Sequence, residues 1–111
     1  MNLNIRGEKI EITDAMKDYA LEKLAKLEKY INNSSDITVN VLVKLRNHMQ
    51  KVEITIFLQS LILRSEEEQE DFYAAIDLAI DKLERQIRSL DVRIQKLESA
   101  GSEVTDNIYM I

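Results

Sequence analysis

The chain has 111 residues, no cysteine, no proline and only two glycines, and its formal net charge is -5. That length suits one domain with a single core layer rather than a large enclosed active site. Disulfides, thiolate chemistry and cysteine-ligated metals are excluded, and no apolar run approaches the roughly 20 residues of a membrane span.

The start, Met1 to Arg6, lacks the basic segment and apolar core of a signal peptide. A cytoplasmic location is therefore expected, with no membrane partner. Asn2 to Arg6 alternates polar and apolar residues and predicts a short strand closed by Gly7. Ile10-Glu11-Ile12 either extends that edge or packs beneath the next element. Thr13 is placed to cap a helix running to about Tyr30. Met16, Ala20, Leu24, Leu27 and Ile31 fall on one face of it. Asn32 to Asp36 is a turn cluster.

Ile37 to Arg46 and Val52 to Leu58 both alternate, and Asn47-His48-Met49-Gln50 joins them as an antiparallel hairpin. Gln59-Ser60 reads as a second tight turn, and Leu61 to Arg64 as a fourth, apolar and central strand. Glu66, Glu67, Glu68, Glu70 and Asp71 follow as one acidic cluster. Placed at a helix start they would meet free N–H groups and the positive end of the dipole. A long helix then repeats Phe72, Ile76, Ala79, Leu83, Ile87, Leu90, Ile94 and Leu97 at spacings of three and four. Ser99 to Ser102 breaks it, and residues 103–111 show no periodicity.

The order β-α-β-β-β-α predicts an α+β domain: a four-stranded, mostly antiparallel sheet with two helices on one face. Residues 1–98 would form the domain and residues 99–111 a flexible tail.

The acidic total argues against nucleic acid at first sight. Without the five charges of the acidic cluster, however, the rest of the chain is neutral, and the question becomes where its charges lie. On the last helix Lys82, Arg85, Gln86, Ser89, Arg93 and Lys96 share one flank, whereas Asp77, Asp81, Glu84, Asp91 and Glu98 share another. A helix that only needs solubility mixes its signs, because i,i+4 pairs then stabilise it. A segregated basic row suits a phosphate backbone; a solvated face is the alternative. Lys44, Arg46, His48 and Lys51 gather at the hairpin. They either extend that surface or keep strand edges soluble.

His48 is the single histidine, which leaves no metal-ligand set. Phe57 lies on the polar side of its strand and is the one aromatic with a base-stacking case; Phe72 belongs to the core. No nucleophile motif, phosphate-binding glycine loop or HExxH is present. Catalysis, a cofactor, a metal and a small-molecule substrate are not expected.

Leu63-Arg64-Ser65-Glu66-Glu67, Asp71-Phe72-Tyr73-Ala74-Ala75-Ile76-Asp77 and Asp81-Lys82-Leu83-Glu84-Arg85-Gln86-Ile87-Arg88 resemble the ribosome hibernation-promoting factor and ribosome-associated inhibitor family, also called sigma-54 modulation proteins. Asn4-Ile5-Arg6-Gly7 and Lys51 to Ile56 fit the same pattern, so the resemblance covers about residues 1–97. It implies a fold similar to the double-stranded-RNA-binding fold. It also implies binding to the small ribosomal subunit (16S rRNA and neighbouring ribosomal proteins) in the channel for mRNA and the A- and P-site tRNAs. Translation would be blocked sterically in starvation or stationary phase.

On that resemblance Arg88 joins Lys82, Arg85, Gln86, Ser89, Arg93 and Lys96 as an rRNA contact, together with Lys44, Arg46, His48 and Lys51. The family usually continues its helix with a dense basic run, where this chain has Ser89-Leu90-Asp91-Val92-Arg93. Long members carry a C-terminal domain that pairs ribosomes, for which the residues after Leu97 are too few. A short form, or the N-terminal domain of a longer protein, is expected. The isolated chain is expected to be a monomer, or at most a weak dimer. The competing reading is an interaction module that self-associates through Leu90, Ile94 and Leu97.

Overall fold

The computed structural model describes residues 1–31, 37–58 and 61–99, with side chains described as far as Leu90. Its elements are β1 (Asn2–Glu8), α1 (Asp14–Ala25), a 3-10 turn (Glu28–Tyr30), β2 (Thr38–Arg46), β3 (Met49–Phe57), β4 (Ile62–Gln69) and α2 (Phe72–Ser99). The sheet order is β1-β2-β3-β4. The α1 crossover returns the chain in its original direction, so β2 pairs parallel with β1. The two hairpin-linked pairs that follow are antiparallel.

Alternation sends Val39, Val41, Val43, Val52, Ile54, Ile56 and Leu63 to one face of the sheet, where all are buried. Both helices cover that face. α1 and the turn after it contribute Met16, Ala20, Leu24 and Leu27, and α2 contributes Phe72, Ala75, Ile76, Ala79, Ile80, Leu83 and Ile87. Each large side chain buried there contributes about 1.5–3 kcal/mol before entropy is counted. Among the described residues no element covers the opposite face.

Ser65 is the buried polar residue of this core, and its hydroxyl donates to the Ala79 carbonyl at 2.9 Å. The bond satisfies the hydroxyl and ties β4 to α2. Gly7 is needed for a different reason: a Cβ there would collide with the Ile10 carbonyl oxygen. The strand does not stop at this glycine; it continues to Glu8 and then folds back so that Ile10 and Ile12 pack against the core.

Three further boundaries differ from the sequence expectation. α1 ends at Ala25, not near Tyr30. Its Thr13 cap is as expected, the hydroxyl accepting from the Met16 N–H at 3.1 Å. From Lys26 onward the N–H groups bond three residues back, Lys26 to Lys23 at 3.2 Å and Leu27 to Leu24 at 3.0 Å. That tighter turn still brings Leu27 into the core, so the apolar spacing did not register the change.

The acidic cluster belongs mainly to β4 and not to a helix start. Glu67 follows Leu63 and Ser65 on the helix side, whereas Glu66 and Glu68 face away with Arg64. The strand is an edge, not central, and charges on an edge resist pairing with another sheet. Only Asp71 serves α2, its carboxylate accepting from the Ala74 N–H at 3.0 Å. The hairpin loop is also shorter than expected, because Arg46 pairs directly with Met49. The expected turns at 32–36 and 59–60 lie outside the described residues, as does the expected tail 99–111 except Ser99, which is the last residue of α2.

Candidate nucleic-acid interface

α2 presents Lys82, Arg85, Gln86 and Ser89 away from the core. Lys82 and Gln86 lean over the free edge of β4. The Lys82 ammonium donates to the Glu66 carbonyl at 3.1 Å and pairs with the Glu67 carboxylate at 2.6 Å. The Gln86 amide donates to the Arg64 carbonyl at 2.9 Å. These contacts satisfy two outward carbonyls of the edge strand and hold both side chains in place. The Lys82 bond, with help from Gln69, lowers the Glu67 pKa. Arg85 and Ser89 are exposed, and Arg85 has no ion-pair partner among the described residues. The side chains of Arg93 and Lys96, also expected in this row, lie outside the described residues.

Arg88 is not part of that row. It points toward α1, pairs with Glu84 at 2.7 Å and donates from Nε to the Tyr30 hydroxyl at 3.2 Å. The Tyr30 hydrogen bond, followed by Glu84, raises its pKa. The flank it occupies also carries Asp77, Asp81 and Glu84, beside Lys23 and Lys26.

The hairpin turns on Asn47 and His48, whose φ values of 48° and 67° match a two-residue type I′ turn. Arg46 and His48 are exposed at its tip. Lys44 and Lys51 project from the helix-free face, where they pair with Glu53 at 3.1 Å and Glu66 at 3.6 Å. They do not stand beside the α2 row. The two groups are joined around the β4 edge by Glu66, whose carboxylate meets Lys51 while its carbonyl accepts from Lys82, and by Arg64, whose carbonyl accepts from Gln86 while its guanidinium shares Glu53 with Lys44. The counter-charges Glu53, Glu66 and Glu67 were not foreseen from sequence. A period-two reading of residues 62–69 would have placed Glu66 and Glu67; Glu53 already fell beside Lys51 on the polar side of its own strand.

The aromatic side chains divide as their environments dictate. Phe72 is core, Tyr19 and Tyr73 stack edge to face at 4.9 Å, and the Tyr19 hydroxyl donates to Asp77 at 2.8 Å. Phe57 is 37% exposed on the helix-free side. Among the described residues no group of metal-ligating side chains gathers, at His48 or elsewhere.

Comparison with known proteins agrees with this architecture. The Thermus thermophilus Protein Y N-terminal domain superposes with a TM-score of 0.74 at 38% identity, covering 81% of this chain and 99% of that domain. A ribosomal subunit interface protein from Coxiella burnetii gives a TM-score of 0.71, covering 83% of this chain and 99% of that one; at 19% identity it supports the fold alone. The Ribosome hibernation promotion factor of Bacillus subtilis is 51% identical over 104 residues, which are 92% of this chain and 55% of that protein. The Staphylococcus aureus protein of the same name is 42% identical over 97 residues, 86% of this chain and 51% of its own. The chain thus spans about half the length of the curated relatives it matches. Residues 3–95 match the model of the Sigma 54 modulation protein / S30EA ribosomal protein family, and the chain belongs to that family.

Proposed function

We propose that this chain is a ribosome hibernation factor. It binds the small ribosomal subunit, occupies the channel for mRNA and the A- and P-site tRNAs, and excludes both sterically. The observation that carries the reading is the one-sided row of Lys82, Arg85, Gln86 and Ser89 on α2. Its two cationic heads, amide and hydroxyl are donors suited to phosphate and sugar oxygens, which position a protein on RNA without reading its sequence. The names of the Bacillus subtilis and Staphylococcus aureus relatives support the same reading. At about 1.5 Å per residue the 28-residue α2 is roughly 42 Å long, a rigid body able to obstruct a channel.

Cosedimentation with purified small subunits across a salt series tests this. Binding should weaken steeply with salt. Lys82→Ala combined with Arg85→Ala should reduce the log–log slope by up to about 0.9 per lost phosphate contact. Thermal melting should show the fold intact, because neither side chain enters the core. Absence of binding at low salt overturns the reading; a double variant that binds like the parent removes α2 as the contact surface.

A further inference from the structure

The helix-free face of the sheet has a composition of its own. Strand register places Phe57 between Thr38 and Ile62 in one row across the sheet. The next row is Asn4, Asn40, Thr55 and Arg64, and Arg6 begins the row beyond, next to Leu42. A groove of about 390 Å³ runs over these last rows. The Asn4 amide donates to Asn40 at 3.1 Å, which aligns two amides at the surface. In the groove the Glu53 carboxylate is matched by Lys44 at 3.1 Å and by Arg64 at 3.7 Å. Arg6 has no ion-pair partner among the described residues, and the Arg64 side chain is 66% exposed.

We infer that this face is a second binding surface, for a short unpaired segment of RNA. An exposed aromatic ring on a sheet gives a base a stacking platform. Amides and a hydroxyl one row away offer both donors and acceptors to base edges and to the 2′-OH. The two arginines rise from opposite edge strands, three strand spacings or about 14 Å apart across the sheet, and both line the groove with positive charge. A duplex does not fit this arrangement, because its bases are stacked inside and present no free face to Phe57. A phosphorylated or acidic peptide would use the arginines but leave the aromatic and amide rows idle.

The inference is independent of the α2 row, and its assay contains no ribosome, so the two readings fail separately. Fluorescence anisotropy with a labelled eight-residue single-stranded RNA, at low salt and up to 100 µM protein, reads it directly. Phe57→Leu keeps the apolar contact but removes the ring, and should lower affinity about 5- to 100-fold. Arg64→Ala should reduce the salt slope by about 0.7, the loss of one phosphate contact on a single strand. Backbone amide shifts on adding the oligonucleotide should fall on β1 to β4 around Asn4, Asn40 and Thr55. Unaltered melting of each variant establishes that the fold is kept. No binding, equal binding of duplex RNA, or binding indifferent to both variants overturns the proposal.

Discussion

The Lys82–Glu67 pair decides how the α2 row would meet a phosphate. Glu67 is on the helix side of β4 with its side chain only 18% exposed, and Lys82 reaches it at 2.6 Å while remaining 47% exposed. A partly exposed pair of this kind contributes about 0.2–1 kcal/mol. When a phosphate takes the ammonium, that contribution is lost and Glu67 keeps only its Gln69 partner at 3.0 Å. Glu67→Gln removes the competing charge without removing the side chain's length. Lys82 then keeps only the neutral Glu66 carbonyl, and affinity for the small subunit should rise about 1.4- to 5-fold, with a steeper salt dependence. The acid limb of the stability curve should shrink as well. Glu67 titrates below its ordinary range because Lys82 and Gln69 stabilise the carboxylate. Its contribution is therefore present above the unfolded-chain value and lost as pH falls through the folded one. Cosedimentation titrations of parent and variant at three salt concentrations, with chemical denaturation from pH 3 to 7, measure both effects. Equal or weaker binding by Glu67→Gln would refute the idea that Lys82 exchanges its carboxylate for a phosphate.

Gly7→Ala should cost about 1–3 kcal/mol in urea denaturation, because the added Cβ meets backbone at Ile10 and not a flexible side chain. Tyr19→Phe should cost about 1 kcal/mol at neutral pH by loss of the bond to Asp77. The Tyr19 pKa is raised, chiefly by that bond, so its contribution is complete below the unfolded tyrosine value and fades as pH rises through the folded one. The difference between parent and variant should accordingly close at strongly alkaline pH. His48→Gly should raise stability by roughly 0.5–1 kcal/mol, since His48 sits at positive φ in a turn that favours glycine. If the same variant binds ribosomes more weakly despite its higher melting temperature, the imidazole is a contact.

The parts of the fold legible in sequence were those with one clear period. Val39 to Val43 and Val52 to Ile56 alternate cleanly, and the α2 stripe from Phe72 to Ile87 follows the helical repeat; the structure buries both sets. β4 was obscured because Glu66, Glu67 and Glu68 are chemically alike but face alternate sides. A run of one residue type hides a period of two. Gly7 looked like a stop because glycine often is one, yet its role is to let Ile10 approach. The candidate site was legible as a helix flank but not as a surface. Lys82 and Glu67 are 15 positions apart, and which carboxylate meets which lysine is fixed by how α2 lies on β4. Arg88 was named from the family resemblance and not from the flank. Six residues at about 100° each carry it roughly 120° round the helix from Lys82, onto the acidic flank.

The net charge of -5 does not describe the local surface, because many carboxylates are matched by neighbouring cations. Glu53, Glu66, Glu67 and Glu84 stand against Lys44, Lys51, Lys82 and Arg88. Each of those cations must give up a partner before it can serve an RNA phosphate. Arg85 need not: it is exposed, lies opposite the core, and has no ion-pair partner among the described residues. Its full charge and planar fork are available at first encounter. Single variants should therefore rank by what each cation already holds. Arg85→Ala should weaken small-subunit binding most and reduce the salt slope by about 0.9. Lys82→Ala should do less, and Arg88→Ala least, because Glu84 and Tyr30 already take its guanidinium. The reverse order in cosedimentation would mean that Arg88 leaves Glu84 on binding and that the acidic flank of α2 opens toward the RNA.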